Sequence, residues 1–221
     1  MTRADLKPRK PGRPEGQNNL SEEILDAAEV MFAEQGFAGT TLRQVADKLG
    51  VNPAMIAYYF QNKDNLFRSV FTRRGHAISA ARMERLAALS GRSYDVEDLV
   101  KAFIEPAAAL YGNVQGRAFL KLHARLHMEP EDLSFELRRA VHNESTHAYA
   151  GAFGRLLALP DREIYQRMSL LIGAYLYAFS GTSRLTELMG NDDDPMREML
   201  QTTIAFGTAG MLAGGGLRER K

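Results

Sequence analysis

The chain has 221 residues, of which 45% are hydrophobic and 25% charged, proportions that fit a globular protein with a sizeable core and not a disordered one. Lys and Arg total 28 against 27 for Asp and Glu, leaving a net charge of +1 at pH 7, which excludes a uniformly positive coat but not local basic patches. The absence of cysteine excludes disulfides, thiol nucleophiles and thiolate metal sites, and a reducing, cytoplasmic setting is expected. Two long uncharged stretches cover 168–183 and 199–217. A spanning helix needs roughly 20 mostly apolar residues. The first stretch is shorter, and the second contains Gln201, Thr202, Thr203, Thr208 and five glycines, so both are expected to be buried helices and no membrane is expected as a partner.

Residues 1–19 read as a flexible basic arm. Arg3, Lys7, Arg9, Lys10 and Arg13 outweigh Asp5 and Glu15, and Pro8, Pro11 and Pro14 oppose a helix. The first 16 residues have no apolar stretch behind them and are not expected to be a secretory signal. Ser21 can cap a helix, with Glu22 and Glu23 in its electropositive first turn and Leu20 stapled to Leu25. Ile24, Ala28, Met31 and Phe32 repeat at helical spacing, and Gly36 ends the helix. Its other face is acidic, carrying Glu22, Glu23, Asp26, Glu29 and Glu34.

A short second helix follows. Thr41 and Gln44 make a capping box, Leu42, Val45, Ala46 and Leu49 form the apolar face, and Gly50 stops it. Asn52 caps a third helix with Pro53 at its first position, running to Phe60. Asn62 opens a fourth, from Lys63 to about Leu89. Further helices are expected at 95–111 with a kink at Pro106, 115–128, 133–159, 161–180 and 195–213. Breaks fall at Gly112–Asn113, Pro130, Pro160 and the turn 190–194. No stretch alternates with period two for long enough to make a sheet, so the fold class is all-α.

Two short helices joined by a tight turn at Gly50 have the form of a helix-turn-helix. Its second helix must be slim enough to enter a DNA major groove about 12 Å wide. Asn52, Pro53, Ala54 and Ala57 are small or flat residues that allow close backbone approach. Tyr58 and Tyr59 can reach phosphates through their hydroxyls. Three successive helical positions span about 200°, so at least one of these two tyrosines should point outward while Phe60 points in. Lys63 stands at a helix N-terminus that already favours an anion. Between residues 40 and 75 the basic residues Arg43, Lys48, Lys63, Arg68, Arg73 and Arg74 outnumber Asp47 and Asp64. Against the acidic first helix, this predicts a dipolar domain with one basic end.

Gly36-Phe37, Thr41-Leu42-Arg43-Gln44-Val45-Ala46, Gly50-Val51-Asn52, Ile56, Tyr58-Tyr59-Phe60-Gln61-Asn62-Lys63 and Leu66, at these spacings, resemble the DNA-binding signature of the TetR/AcrR family of bacterial transcriptional regulators. The resemblance covers roughly residues 21–71. Ala57 departs from it, since the family usually has a hydroxyl-bearing or aromatic residue there. The resemblance implies an N-terminal three-helix helix-turn-helix domain at 20–65, followed by a helical ligand-binding and dimerisation domain at 66–221. It also implies a cofactor-free regulator, most often a repressor, that binds a palindromic double-stranded operator as a homodimer and releases it on binding a small molecule. The expected DNA contacts are Arg9, Lys10 and Arg13 of the arm with Thr41, Arg43, Asn52, Pro53, Ala54, Ala57, Tyr58, Tyr59 and Lys63.

The residues beyond the motif carry two further expectations. The last two long helices combine low charge with small residues, and a single chain has difficulty hiding both on all sides. Gly173, Ala174, Tyr177, Gly181, Ile204, Gly207 and Met211 are therefore expected at a dimer interface. Tyr111, Phe119, His123, His127, Tyr175 and Phe179 are aromatic or amphipathic side chains on otherwise apolar helices and are expected to line a pocket for an apolar or amphipathic effector. His123 and His127, four residues apart, leave an alternative reading as a metal-dependent helical hydrolase, with Glu129 or His142 as a further ligand. No nucleophile elbow, phosphate loop or paired-carboxylate signature supports that alternative, and no metal is assigned. The fourth helix, reaching from Lys63 to Leu89, is expected to carry ligand binding to the reading head as a pendulum.

Overall fold

The computed structural model describes residues 15–126, 129–181, 187–188 and 195–214. Arg9, Lys10, Arg13 and His127 lie outside the described residues, as does the turn 190–194 before the last helix. The described residues are helical and contain no strand. In chain order they form α1 (Glu15–Gly39), α2 (Leu42–Leu49), α3 (Pro53–Phe60), α4 (Lys63–Leu89), α5 (Val96–Ala108), a 3₁₀ turn at Ala109–Gly112, α6 (Val114–Arg125), α7 (Glu131–Leu156), α8 (Asp161–Phe179) and α9 (Pro195–Leu212).

The short-range signals act as their chemistry dictates. Thr41 Oγ1 accepts from the Gln44 N–H at 3.2 Å while Gln44 Oε1 accepts from the Thr41 N–H at 2.8 Å, closing the capping box of α2. Gly50 stops α2 with φ 66, a left-handed turn that a Cβ would strain. Asn52 Oδ1 takes the Ala54 N–H at 2.9 Å, and Asn62 Oδ1 takes the Asn65 N–H at 2.8 Å.

Helix α1 differs from expectation at its start. It begins at Glu15, within the segment read as arm, and not at Ser21. Proline opposes only the helix N-terminal to itself, so the chain is free to coil as soon as Pro14 is passed, with Glu15 in the electropositive first turn. Its regular path does break at Gly36, where φ 75 and ψ 177 leave helical space. Helix α5 ends three residues earlier than expected and tightens into the 3₁₀ turn. Pro106 lies inside α5, removes one rung of its ladder and loosens the turn around it.

The core is continuous. Ile24, Ala28 and Phe32 of α1, Val45 and Ala46 of α2, Ile56 and Phe60 of α3 and Leu66, Phe67 and Val70 of α4 bury together as the head. Phe71, Ile78 and Leu89 carry the same stripe of α4 into the body, where Phe103, Phe119, Tyr149, Phe153, Met168, Tyr175 and Phe179 meet. Helix α4 thus belongs to both halves, while α1 packs most extensively against α6 of the body.

The acidic face of α1 has a specific use. Glu29 is fully buried and accepts from Arg74 Nε at 2.7 Å and from Arg73 Nη2 at 3.0 Å. Arg73 also reaches Glu22 at 2.8 Å and Asp26 at 2.7 Å. Burial pushes the Glu29 carboxyl above its ordinary pKa, and hydrogen bonding and attraction from Arg74 and Arg73 offset this only in part.

Candidate nucleic-acid interface and ligand core

The candidate reading surface is the outer side of α3. Ile56 and Phe60, four residues apart, are buried in the core of the head, where α3 packs chiefly on α2 and also on α4, and they fix the roll of the helix. That roll leaves Asn52, Pro53, Ala54 and Ala57 exposed, a low surface along one side. Tyr58 rises from it with 71% of its surface open. Tyr59 takes the other course: it is half-buried against the core, with its ring edge-on to Tyr58 at 5.3 Å. Thr41 is exposed, but its hydroxyl also donates to Gln44 Oε1 at 2.8 Å as part of the cap.

Lys63 was expected to face a phosphate; in the folded chain its ammonium donates to the Phe37 carbonyl at 2.9 Å and sits 4.3 Å from the centre of the Phe37 ring. The physical reason lies in α1, whose path breaks at Gly36 and leaves the Phe37 carbonyl with only a long 3.4 Å bond from the Thr40 N–H. Lys63 supplies a second donor and covers an aromatic face at the same time.

The expected basic end changes in the same way. Arg73 and Arg74 are held by the carboxylates of α1, and Arg68 pairs with Glu136 at 2.7 Å. Opposite charges on α1 and α4 were read as a dipole facing DNA; across the packed helices they form a clamp. Arg43, with a distant 4.0 Å approach to Asp47, and Lys48 are the exposed cations beside the reading helix.

A second junction sits at the Gly36–Phe37 turn. The Phe37 N–H donates to Glu129 Oε1 at 3.1 Å, and Arg125 Nη1 donates to the Glu34 carbonyl at 3.2 Å. A Cβ on Gly36 would fall 2.8 Å from Arg125 Nη2 and 3.0 Å from Glu129 Oε1. The end of α6 therefore grips the same turn that Lys63 holds from the other side. Neither Arg125 nor Glu129 stood out in the sequence as a contact to the head, because nothing local marks a bond spanning 92 residues.

In the body, the structure brings four of the expected pocket residues into one row of rings. Phe119, His123, Tyr175 and Phe179 are buried, with centroid separations of 5.7 Å from Phe119 to His123, 6.4 Å from His123 to Tyr175 and 6.3 Å from Tyr175 to Phe179. Tyr111 stands apart. It lines a surface cleft of about 320 Å³ between α1, α6 and the end of α8, where Phe179 also reaches. The cluster also holds residues outside the expected pocket set, among them His142, which the sequence offered only as a metal ligand. His142 stacks on His123 at 4.7 Å, Phe71 meets both at 5.5 and 5.8 Å, and Phe103 packs on Tyr149 at 5.0 Å. Among the described residues no group of three or more His, Cys, Asp or Glu side chains could hold a metal ion.

Arg82 was also missed. It is 1% exposed, lies between Phe103 and Tyr175, and donates from Nε to the Phe103 carbonyl at 2.8 Å and from Nη2 to Tyr175 Oη at 3.0 Å. The Tyr149 hydroxyl donates to the Arg82 carbonyl at 2.9 Å. The signal was present in the sequence as a charge on the apolar stripe of α4, four residues after Ile78 and seven before Leu89.

The expected dimer residues divide between two faces. Gly173, Tyr177 and Gly181 are exposed and Ala174 is half-buried. Ile204, Gly207 and Met211 instead face the chain's own core: Ile204 and Met211 are buried, and a Cβ on Gly207 would collide with Leu171. Helix α9 has one stripe to spend on α5 and α8, and these three residues, at spacings of three and four, are that stripe. Its outer side carries Phe206, 67% exposed, opposite Leu170, 74% exposed, across an almost wholly apolar groove of about 440 Å³. No helix among the described residues is long and apolar enough to cross a membrane.

Comparison with known proteins bears on both halves. Residues 24–70 match the family model described as bacterial regulatory proteins, tetR family, and residues 101–210 match the tetracyclin repressor-like C-terminal domain. The transcriptional regulator BetI of Brucella anthropi is 27% identical over 150 residues, which cover 61% of this chain and 76% of that protein. Other curated regulators share less, and the matched part spans 23% and 39% of the length of two of them. Among solved structures, a TetR-family regulator from Shewanella sp. PV-4 superposes with a TM-score of 0.62 at 19% identity, covering 90% of this chain and 98% of that one. A regulator from Saccharomonospora viridis, solved in complex with choline, superposes with a TM-score of 0.60 at 17% identity, covering 91% and 100%. With a helix-turn-helix that buries Ile56 and presents Asn52 and Tyr58, and with both family models matched in order along it, the chain belongs to the TetR family of DNA-binding transcriptional regulators, which are not enzymes.

Proposed function

We propose that this protein is a cytoplasmic, ligand-responsive repressor that binds a palindromic operator as a homodimer and leaves it when a small apolar or amphipathic effector enters the body. The observation that carries the reading is the roll of α3: its apolar side is sealed by Ile56 and Phe60, and its outer side is low except for Tyr58. A helix in that attitude can lie in a major groove, with Asn52, Pro53, Ala54 and Ala57 against base edges and Tyr58 and Arg43 at the backbone. Arg9, Lys10 and Arg13 of the arm add phosphate or minor-groove contacts.

One such helix reads one half-site, so a second copy is required, with reading helices about 34 Å apart. Leu170, Gly173, Ala174 and Tyr177 of α8 and Phe206 and Gly210 of α9 offer the second copy an apolar face with small residues for close helix approach. The row Phe119–His123–Tyr175–Phe179 is the place for an effector, and the choline complex of the Saccharomonospora protein is a precedent for a small ligand in this fold. Two routes lead from the body to the head: α4, which is shared by both, and the end of α6, which grips the Gly36–Phe37 turn through Arg125 and Glu129. A coupling of about 1–3 kcal/mol between effector and operator is typical of such systems.

The test is selection from a randomised duplex library followed by fluorescence anisotropy on the selected site. A palindromic site bound by two chains is expected, with Tyr58→Ala weakening binding by about tenfold or more and leaving the fold unchanged. A selected site without two-fold symmetry, or full affinity in Tyr58→Ala, would overturn the reading.

A further inference from the structure

We infer that Arg82 is an anion-recognition residue, and that the effector is an organic carboxylate whose apolar part lies along the row of rings beside it. This rests on the reading of the body as an effector domain and names the ligand's chemical class.

A guanidinium taken out of water normally has a carboxylate beside it, because its hydration must be replaced. Arg82 has none among the described residues. Glu105, on the neighbouring α5, is taken by Arg85, and Glu84 is exposed. Its neighbours are the Phe103 ring, 3.8 Å from the guanidinium carbon, the Tyr175 ring at 5.4 Å, one carbonyl and one hydroxyl. Rings and a carbonyl lower the cost of the buried charge without neutralising it.

The donor count shows what is lacking. A guanidinium has five N–H groups. Arg82 uses one on the Phe103 carbonyl and one on Tyr175 Oη, and Nη1 meets no acceptor among the described residues. Tyr175 accepts from Arg82, and its own hydroxyl proton also meets no acceptor among the described residues. Donors from two helices, α4 and α8, therefore converge beside the row of rings. A carboxylate supplies two acceptor oxygens in a plane that fits the guanidinium fork, together with the missing negative charge. An amine would add repulsion, and an alcohol would add no charge.

The rings set the rest of the ligand. Tyr175 is shared between Arg82 and the row Phe119–His123–Tyr175–Phe179, so a ligand anchored at Arg82 places its apolar part among those rings. Arg82 is also well placed to act on DNA binding. It lies on α4, 19 residues from Lys63, which is about 29 Å along the same helix at 1.5 Å per residue. An anion that draws Arg82 toward α8 moves the helix that carries the head.

The experiment measures the melting temperature of the full chain without DNA, followed by calorimetric titration. Benzoate, 3-phenylpropionate and decanoate at millimolar concentration are the probes, with decanol and decylamine as controls. At least one carboxylate is expected to raise the melting temperature, and neither decanol nor decylamine to match it. Arg82→Met is expected to weaken carboxylate binding on the order of 10- to 100-fold while melting at or above the wild-type temperature, because an uncompensated buried charge has been removed. Arg82→Lys, which keeps the charge and loses the fork, should fall between them. The inference is overturned if no carboxylate shifts the melting temperature, if decanol or decylamine does as well, if Arg82→Met binds carboxylates normally, or if Arg82→Met melts far below the wild type, which would make Arg82 a structural prop. Operator release by an uncharged ligand alone would leave the repressor reading standing and overturn this one. Carboxylate binding at Arg82 with no effect on operator affinity would do the reverse.

Discussion

Lys63 shows how a single side chain can satisfy two incompatible expectations until its neighbours are known. Its place at the start of α4 suits a phosphate, but within its own chain it donates to the Phe37 carbonyl, and the Phe37 ring lies beneath the charge. We expect Lys63→Ala to lower stability by about 1–2 kcal/mol through loss of that hydrogen bond and the cation–π contact. The measurement is the urea midpoint at unchanged denaturant slope. Unchanged stability with a salt dependence of operator binding reduced by about one phosphate would return Lys63 to the DNA. The caps of α2, α3 and α4 needed no such correction. Thr41, Asn52 and Asn62 act on backbone N–H groups two or three residues away, a range within which the sequence contains both partners.

The pairing of α1 with α4 raises the same issue for elements. Their charges were legible as opposite, but whether they faced each other or faced DNA depended on how the helices packed. Glu29 at the centre of the clamp gives this a measurable consequence. Its folded pKa lies above the ordinary carboxylate value of 4.5, so between that value and the raised one the folded chain binds more protons than the unfolded chain. Stability from this group is therefore greatest below pH 4.5, falls as pH rises through the window, and levels off once Glu29 is ionised in both states. Subtracting the urea-derived stability of Glu29→Gln from that of the wild type across pH 4 to 8 should expose this fall against the opposite trends of other carboxylates. A flat difference, or one that rises with pH, would count against a buried, desolvated Glu29.

Assembly is decided on the outside of α8 and α9. Both helices were legible as poor in charge and rich in small residues, and three of the seven residues assigned to an interface proved to be the inner stripe of α9. The outer stripe now offered to a partner centres on Leu170 and Phe206, both mostly exposed, so charging them should leave the fold intact to within about 0.5 kcal/mol. The double variant Leu170→Asp with Phe206→Asp is expected to sediment as a monomer where the wild type sediments as a dimer, and to bind a full palindrome no better than a half-site. A variant that remains dimeric would move the interface to another face.

Local chemistry could be read without coordinates: the all-helical class, the caps of α2 to α4, the break at Gly36 and the stop at Gly50, the order of elements and the spacing that marks the helix-turn-helix. Each of these depends on residues within one or two turns of each other, where hydrogen-bond reach and helical period leave little freedom. Partnership across the fold could not be read in that way. Which cations remain for DNA, which side of α9 is buried, how Arg125 and Glu129 hold the Gly36–Phe37 turn, and that Arg82 stands between Phe103 and Tyr175 without a carboxylate all depend on residues some 20 to 90 positions apart being brought within hydrogen-bond reach. Helical periodicity gives each helix its buried side but not its neighbour, and it is the neighbour that determines whether a charge is used inside the protein or left for a partner.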